Sequence, residues 1–424
     1  MKDIKSIYIL KKIFDHLYLR KTLEIIKYNK IAKDKLEFTI NNYIDFPKIE
    51  FEITPVFNQS GQFFNQVEKG KEKYCHIYFD DNEEEIKRGY LKEEDVVAKI
   101  KIILDYKIDS FKELFKYCKI IESIKCTKFY RNNIIDMTEM FCGCSLLKSV
   151  DLSNFITTNV AYMNNMFYGC SSLTEINLSN FNTINLSDMG GMFKGCSSLQ
   201  KINLSSFNTD NVTDMSGIFF DCKRLKEINL SNFNTNNVTD MNCLFYGCSS
   251  LKEINLEHFD THKVSDMGGM FYKCSSLRNL NIENFITKNV IFMNDVFNGC
   301  SLLREINLSN FNTNKVNYMM NMFKDCSLLI ELHLSNFDTK NVTDMSYMFS
   351  NCSSLEEVDV SSFNTEKVNN MNHMFYECSS LKKLNLDNFN FNEVINMNEM
   401  FAGCSESLKV QIKKQNENIG DNAF

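Results

Sequence analysis

Cysteine is the residue type with the widest chemical potential in this chain, because thiols form disulfides, bind metals and act as nucleophiles. Twelve of the 16 cysteines stand 26 residues apart: Cys118, Cys144, Cys170, Cys196, Cys222, Cys248, Cys274, Cys300, Cys326, Cys352, Cys378 and Cys404. A single column of equivalent residues does not converge four ligands on a metal, and Cys142 and Cys144 form the one close pair. We interpret these thiols as small side chains that fill a core. Disulfides between neighbouring copies and metal binding remain as alternatives.

Other residues with chemical potential also fit a structural role. Met163 and Met166 have the spacing of Cu(I)-binding methionines, but they share an apolar face with core positions. Gly190-Gly191 and Gly268-Gly269 follow no strand, and no Gly-Lys-Ser/Thr motif of a phosphate loop is present. The six histidines are scattered, and no nucleophile–base–acid motif is visible. We therefore predict a protein that is not an enzyme and that uses no cofactor or metal.

Composition narrows the class of protein further. The chain has 424 residues, of which 44% are hydrophobic and 24% are charged, as in soluble globular proteins. A net charge of -7 argues against nucleic acid as the main partner. No run of 18 apolar residues is present, so we expect no membrane span.

The 26-residue step extends to several other residue types. Phenylalanine stands three residues before every cysteine of the column, and in most copies fifteen residues before it as well. Methionine stands seven residues before it in most copies, with Phe111 at that position in the first. A period of this length indicates a solenoid, in which each repeat packs only on its neighbours.

Each repeat reads as a strand followed by a short helix. Residues Leu173 to Phe181 alternate apolar and polar side chains around Ile176 and Leu178, which predicts a half-buried strand. Apolar residues between Val212 and Cys222 recur with helical spacing, which predicts a helix of about two turns. The fold class is therefore an α/β repeat solenoid of parallel strands and short helices.

The string Cys-Ser-Ser-Leu-x-x-Ile-Asn-Leu-Ser-Asn-Phe-Asn-Thr resembles the BspA-type leucine-rich repeat family over about residues 98–412. This resemblance implies an arc with parallel strands on its concave side. Members of the family are mostly surface or secreted proteins associated with adhesion and with the binding of host proteins. This chain departs from them because its start shows neither a secretion signal nor a lipobox cysteine.

The segments outside the repeats predict two caps and a tail. Residues 1–45 read as a helical segment, within which residues 5–44 are similar to an F-box that lacks its Leu-Pro opening. The alternative is a helical cap that covers the open edge of the solenoid. Residues 46–97 read as a β-rich N-terminal cap, residues 98–412 as the solenoid and residues 413–424 as a polar, disordered tail. Leu408 to Ile412 predict a last strand.

Candidate partner-binding residues follow from alternation and from breaks in the repeat. Alternation turns polar strand residues outward, either as a solvated ladder or as a recognition surface. The repeat pattern breaks where three large apolar or aromatic residues replace the Thr and Asp of other copies. In addition, an aromatic residue stands two positions before the cysteine in three successive copies. Exposed aromatic residues are common anchors for protein partners. The candidates are Glu227, Asn229, Glu253 and Asn255 on the strands, Ile291, Phe292 and Tyr318 at the breaks, and Phe220, Tyr246 and Tyr272 in the column.

These features predict a non-catalytic scaffold that binds one or more proteins. One alternative is a substrate receptor of a ubiquitin ligase, in which residues 5–44 would bind an adaptor protein. The other is a BspA-type surface adhesin, as the family resemblance implies. The missing signal and the reduced thiols favour the cytoplasm, and the cell surface is the alternative that the resemblance implies.

Overall fold

The computed structural model describes residues 48–65, 67, 69–105, 108–129, 132–392, 394–416 and 418–424. The helical segment predicted for residues 1–45, together with its F-box-like interpretation, lies outside the described residues. Most described residues form a stack of 26-residue turns, which confirms the predicted repeat solenoid.

An antiparallel sheet covers the N-terminal end of the stack. The first elements of the described chain are β1 (Ile49–Pro55), β2 (Gly61–Gln62), a 3-10 helix (Glu72–Tyr74), β3 (Cys75–Phe79), β4 (Tyr90–Leu91), β5 (Ile100–Leu104), β6 (Ile121–Phe129) and β7 (Ser149–Asp151). Five of these strands form the sheet, in the order β3-β5-β1-β6-β7. Its strands alternate buried and exposed side chains, as in β1, where Ile49, Phe51 and Ile53 are completely buried.

Strand β6 joins this cap sheet to the solenoid. It pairs antiparallel with β1 on one side and parallel with β7 on the other, where Ser123 lies opposite Ser149, one repeat later. Strand β5 belongs to the antiparallel sheet, although the boundary predicted at residue 98 assigned it to the solenoid. The cap and the first repeats therefore share one sheet.

The strands of the repeats are shorter than predicted. Parallel pairs form between β8 (Lys201–Asn203) and β9 (Glu227–Asn229), and between β10 (Glu331–His333) and β11 (Glu357–Asp359). Other described copies bury the same leucine positions without forming a strand. We call this side of the stack, which includes β8 to β11 and the equivalent residues of the other repeats, the strand face.

The helix predicted between Val212 and Cys222 is wrong, since this segment is a series of overlapping turns. Its N–H groups alternate between two kinds of acceptor. The Phe219 N–H donates to the carbonyl of Leu244 in the next repeat at 3.0 Å, and the Phe220 N–H donates to the carbonyl of Gly217 at 3.1 Å. Packed helices need about 8–10 Å between axes, whereas strands repeat at about 4.8 Å. Because turns are narrower than helices, the spacing between successive repeats can be similar on both sides of the stack.

Stacked columns of apolar side chains fill the space between the two faces. The phenylalanines three residues before each cysteine lie parallel from Phe115 to Phe401, with successive ring centroids 5.2–6.0 Å apart. The methionines of the preceding column are buried with them. The predicted core positions are therefore confirmed.

The cysteine column lies inside this core, as predicted. All 16 cysteines are free thiols, and the twelve of the column are buried. From Cys144 onward each thiol donates to a phenylalanine carbonyl 29 residues earlier; the Cys248 Sγ, for example, lies 3.2 Å from the oxygen of Phe219. Burial raises the pKa of the Cys196 and Cys274 thiols to about 12. These thiols are therefore protonated packing groups at neutral pH.

The C-terminal end differs from the prediction. Leu408 to Ile412, expected as a strand, lie in helix α1 (Glu406–Gln415), whose N-terminus is capped by the Ser405 hydroxyl. The tail predicted to be disordered folds back onto the last repeat and ends in a 3-10 helix (Asp421–Ala423). There the Phe401 N–H donates to the Ala423 carbonyl at 2.7 Å. Phe424 stacks on Phe401 with ring centroids 5.4 Å apart and extends the phenylalanine column.

No helix among the described residues is both long enough and apolar enough to cross a membrane.

Candidate functional site

The side of the stack formed by the overlapping turns, which we call the turn face, carries one continuous row of equivalent residues. Each stands eight residues before a cysteine of the column, and consecutive members form parallel backbone bridges. The row therefore places side chains from successive repeats next to one another. Its members are Ser110, Asp136, Tyr162, Asp188, Asp214, Asp240, Asp266, Phe292, Tyr318, Asp344, Asn370 and Asn396.

Phe292 and Tyr318 interrupt the acidic part of this row, as the sequence predicted. Their rings are parallel within 9°, with centroids 5.2 Å apart. Phe292 is 37% exposed and Tyr318 is 43% exposed. Ile291 is half-buried beside them, and Ile286 is 44% exposed. The predicted side-by-side arrangement is confirmed; a role in binding stays a prediction.

Phe220, Tyr246 and Tyr272 form a second aromatic stack on the turn face. Successive ring centroids are 4.2 Å apart, and the Lys194 ammonium lies 4.4 Å from the Phe220 centroid. All three rings are half-buried, so their faces are mostly used within the stack. Burial, and next the neighbouring Tyr272 hydroxyl, raise the pKa of Tyr246. This stack offers a partner ring edges and hydroxyls more than open ring faces.

Glycines leave a recess beside this stack. Gly190, Gly191 and Gly217 line a cavity of about 270 Å³ together with Lys194 and Asp214. Gly191 has a left-handed φ of 63°, a conformation that glycine adopts without strain. The Gly-Gly pair therefore lies in a turn of the stack and not in a phosphate loop.

Four carboxylates follow one another in the turn-face row: Asp188, Asp214, Asp240 and Asp266. Each accepts a hydrogen bond from the backbone N–H two residues later, as from Asn242 to Asp240 at 2.8 Å. Burial raises the pKa of Asp240 above its usual value, and the charges of Asp214 and Asp266 raise it further. The pKa of Asp188 is raised in the same way by burial and by Asp214. The turn face therefore holds partly buried negative charge at a cost in stability.

We expect Asp240→Asn to stabilise the fold at pH 7 by about 0.2–1 kcal/mol, the range for like charges on neighbouring strands. The folded state tolerates asparagine here, because Asn370 holds the same position and accepts the same turn hydrogen bond. A carboxyl whose folded pKa is raised destabilises the fold above that pKa and not below its unfolded value. The gain measured by urea unfolding should therefore vanish as the pH falls below about 3.8.

Asp210→Asn is the matched control for this prediction. Hydrogen bonds from Asn208 and Asn234 lower the pKa of Asp210, so the carboxylate is the favoured form in the fold. Neutralising it should give no gain in stability. An Asp240→Asn variant no more stable than the wild type at pH 7 would contradict the interpretation of the row.

The strand-face candidates are exposed, as predicted, but their side chains are partly engaged. Glu227 pairs with Lys201 of the preceding repeat at 2.7 Å. The Asn229 Oδ1 accepts a hydrogen bond from the Ser231 N–H at 3.0 Å, and Asn255 makes the same turn. These asparagines stabilise their own turns, so the asparagine ladder between strands considered in the sequence analysis does not form at these positions. Glu253 is exposed and forms no ion pair within the described part of the chain.

Across the described ranges, no group of three or more His, Cys, Asp or Glu side chains is placed to hold a metal ion.

The strand face also carries a column of basic residues that was not predicted from the sequence: Lys226, Lys252, Arg278 and Arg304. The signal was present in the repeats, because these residues take one position in four successive copies. Only the stacking shows that they are neighbours.

Comparisons with known proteins place the chain in a family. The model described as "Mycoplasma protein of unknown function, DUF285" matches residues 109–203, 200–306 and 291–414. No curated protein matches the chain significantly. Among solved structures, the crystal structure of a leucine-rich repeat protein of T. pallidum is similar at 21% identity with a TM-score of 0.29; the match covers 40% of this chain and 71% of that one.

The family matches together span residues 109–414, which is more than two thirds of the 424 residues and includes nearly all of the stacked repeats. The chain therefore belongs to the DUF285 family.

Proposed function

We propose that this protein is a non-catalytic scaffold that binds a protein partner on its turn face, with Phe292 and Tyr318 as anchors. The observation that carries the proposal is their exposed, parallel stack within a row otherwise made mostly of Asp and Asn. Large, rigid side chains of this kind dominate the binding energy of many protein interfaces. The resemblance to BspA-type leucine-rich repeats is a separate reason to propose an interaction role.

The architecture supports binding over an extended surface. A solenoid presents equivalent positions of many repeats in rows, so a partner can contact several repeats at once. Most rows here are monotonous, which favours recognition at the positions where the pattern changes. The aromatic pair is such a change, and Ile291 and Ile286 enlarge its apolar surface.

Replacing the pair tests the proposal. Phe292→Asn with Tyr318→Asn gives both positions the identity of Asn370, and asparagine adds no carboxylate beside Asp266. We expect the double variant to fold normally and to bind its partner at least about ten-fold more weakly, since loss of an anchor costs about 2 kcal/mol or more. Partners are first identified by proximity labelling with the tagged full-length chain in its native cell, and affinities are then measured on the purified proteins.

Tyr162→Asn is the matched control, because Tyr162 is a single exposed aromatic residue of the same row, at 47% exposure. It should leave affinity unchanged. The proposal is wrong if the double variant retains full affinity for every labelled partner.

We further propose that the scaffold works in the cytoplasm, and the support for this is the set of free, buried thiols of the cysteine column. The surface adhesin is the competing location. Protease treatment of intact cells separates the two, because an adhesin would be cleaved while a cytoplasmic marker stays intact.

A further inference from the structure

The strand face carries a column of exposed cations that no carboxylate of the described residues neutralises. Its members directly follow the buried leucine of four successive repeats: Lys226, Lys252, Arg278 and Arg304. A backbone hydrogen bond from the Arg278 N–H to the Lys252 carbonyl, at 3.1 Å, joins two of these neighbours. Within the described part of the chain, none of these four side chains forms an ion pair or a hydrogen bond.

The same column is neutralised at both of its ends. Near the cap, the Lys148 Nζ lies 2.7 Å from the Glu122 Oε1 of the preceding repeat. Near the C-terminus, the Lys382 Nζ lies 2.6 Å from the Glu356 Oε2. Like charges side by side on adjacent strands destabilise a fold. The carboxylates that follow three of these cations in the chain, Glu227, Glu253 and Glu305, form no ion pair with them within the described residues. The mutual repulsion of the central cations therefore weakens the stack, and an acidic partner would relieve it.

An apolar groove adjoins the basic column. Leu302, Leu328 and Ile330 line a cavity of about 650 Å³ together with Arg278 and Arg304. Ile330 is 46% exposed and takes the column position next to Arg304. Most other copies have serine where Leu302 and Leu328 stand, so the repeat is changed toward apolar side chains only around this groove and near the cap.

Acidic residues line this groove as well. Glu305 and Glu331 contribute to this cavity and to a second one of about 610 Å³. Their row is interrupted by Asn279, directly after Arg278. In the chain Arg304 stands between Leu302 and Glu305, so the basic column is nearer to the apolar residues than the acidic row is.

We propose that this surface binds a protein segment that presents carboxylates on either side of a large aliphatic or aromatic residue. The carboxylates pair with the basic column, and the apolar side chain fills the groove between Leu302, Leu328 and Ile330. Arginine beside a desolvated apolar pocket is typical of binding hot spots. A nucleic acid fits this surface less well, because it carries a phosphate at every nucleotide and Glu305 and Glu331 also line the groove. This inference rests on the proposed scaffold function and specifies the chemistry of a partner.

The test uses a displayed library of random 12-residue peptides selected on the full-length chain. Selected peptides are depleted on a variant with Lys226→Gln, Lys252→Gln, Arg278→Gln and Arg304→Gln, since glutamine already stands in this column at Gln200. A second variant, Leu302→Ser, Leu328→Ser and Ile330→Lys, restores the residues of other copies at the groove. Lys148→Gln with Lys382→Gln is the control, because both lysines are already paired.

We expect the surviving peptides to combine two or more acidic residues with a large apolar one. By fluorescence anisotropy they should bind either variant at least ten-fold more weakly than the wild type, bind the control equally well, and lose affinity as NaCl increases. The inference would be overturned if no peptide survived the selection, if the surviving peptides lacked acidic residues, or if they bound the glutamine variant as well as the wild type. Tighter, glutamine-sensitive binding of phosphatidylglycerol vesicles or single-stranded DNA would overturn it as well.

The same variants separate this inference from the scaffold proposal. In one outcome, the variant with Phe292→Asn and Tyr318→Asn loses a native partner that both strand-face variants still bind. That result supports the scaffold proposal and contradicts a role for the strand face in binding this partner. In the other outcome, the strand-face variants lose peptide binding while the aromatic substitutions leave native partners bound, which supports the strand-face inference and contradicts the aromatic anchor on the turn face.

Discussion

Phe245→Ala is expected to lower the free energy of unfolding by about 3–5 kcal/mol, the range for removal of a buried aromatic side chain. Phe245 is completely buried between the parallel rings of Phe219 and Phe271, whose centroids lie 5.6 and 5.7 Å from its own. Both neighbours are held by backbone hydrogen bonds, since the Phe219 N–H donates to the Leu244 carbonyl at 3.0 Å and the Phe271 N–H donates to the Val296 carbonyl at 2.9 Å. They therefore cannot close the cavity that the missing ring leaves.

The effect should be greatest next to the substitution, because each repeat contacts only its neighbours. Amide hydrogen exchange should show reduced protection mainly between Phe219 and Phe271, and denaturant unfolding should report the total loss. Phe57→Ala is the control, since Phe57 is 78% exposed and its removal should change stability by less than about 0.5 kcal/mol. A Phe245→Ala loss as small as that of the control would show that the column does not hold the stack together.

The buried position of Phe245 could be predicted from the sequence because the period identifies equivalent residues. A residue type that recurs at one position of every copy must meet its own equivalents when the copies stack. Apolar burial needs no knowledge of backbone hydrogen bonding, so the phenylalanine, methionine and cysteine columns follow directly from the spacing. The stacking of Phe292 on Tyr318 follows from the same rule.

The turns could not be distinguished from helices in this way. Apolar residues three and four apart lie on one side of a helix, and they also lie on one side of overlapping four-residue turns. What differs is the partner of the backbone N–H groups, which the sequence does not state. Gly217 and Asp221, with φ of 54° and 56°, carry the signal, since a helix interior has no left-handed residues.

The binding surfaces were predicted only in part. The strand-face asparagines were expected to face outward and do, but only the structure shows that Asn229 and Asn255 accept hydrogen bonds within their own turns. The basic column was overlooked because its members are 26 residues apart and differ between Lys and Arg. The role of an exposed charge depends on the charges next to it in space, and here those charges belong to other repeats.

A buried threonine ladder is the feature of the fold that the sequence concealed most completely. The motif after the phenylalanine that stands fifteen residues before a column cysteine, Asn-Thr or Asp-Thr in most copies and Ile-Thr in two, reads as a loop, yet the threonines are almost fully buried. Each hydroxyl bonds both the N–H and the carbonyl of one residue, 25 positions later in the next repeat. The ladder comprises Thr157, Thr183, Thr209, Thr235, Thr261, Thr287, Thr313, Thr339 and Thr365.

Thr339→Val should consequently cost about 2 kcal/mol or more, although valine has nearly the same shape as threonine. The Thr339 Oγ1 lies 2.8 Å from the Asn364 carbonyl oxygen, to which it donates, and accepts from the Asn364 N–H at 2.8 Å. Valine leaves both backbone groups without their partner, and each such loss costs about 1–3 kcal/mol when water cannot replace it. The loss is measured as the change in unfolding free energy in urea.

Thr339→Ser separates the hydroxyl from the methyl group. Serine keeps both hydrogen bonds and loses only a methyl, so it should retain most of the stability that valine loses. If serine destabilises the protein as much as valine does, packing of the methyl group is the important contribution and the hydrogen-bonded ladder is not. If only valine is destabilising, the hydrogen bonds of this hydroxyl hold each repeat to the next, in addition to the backbone bridges of the turn face.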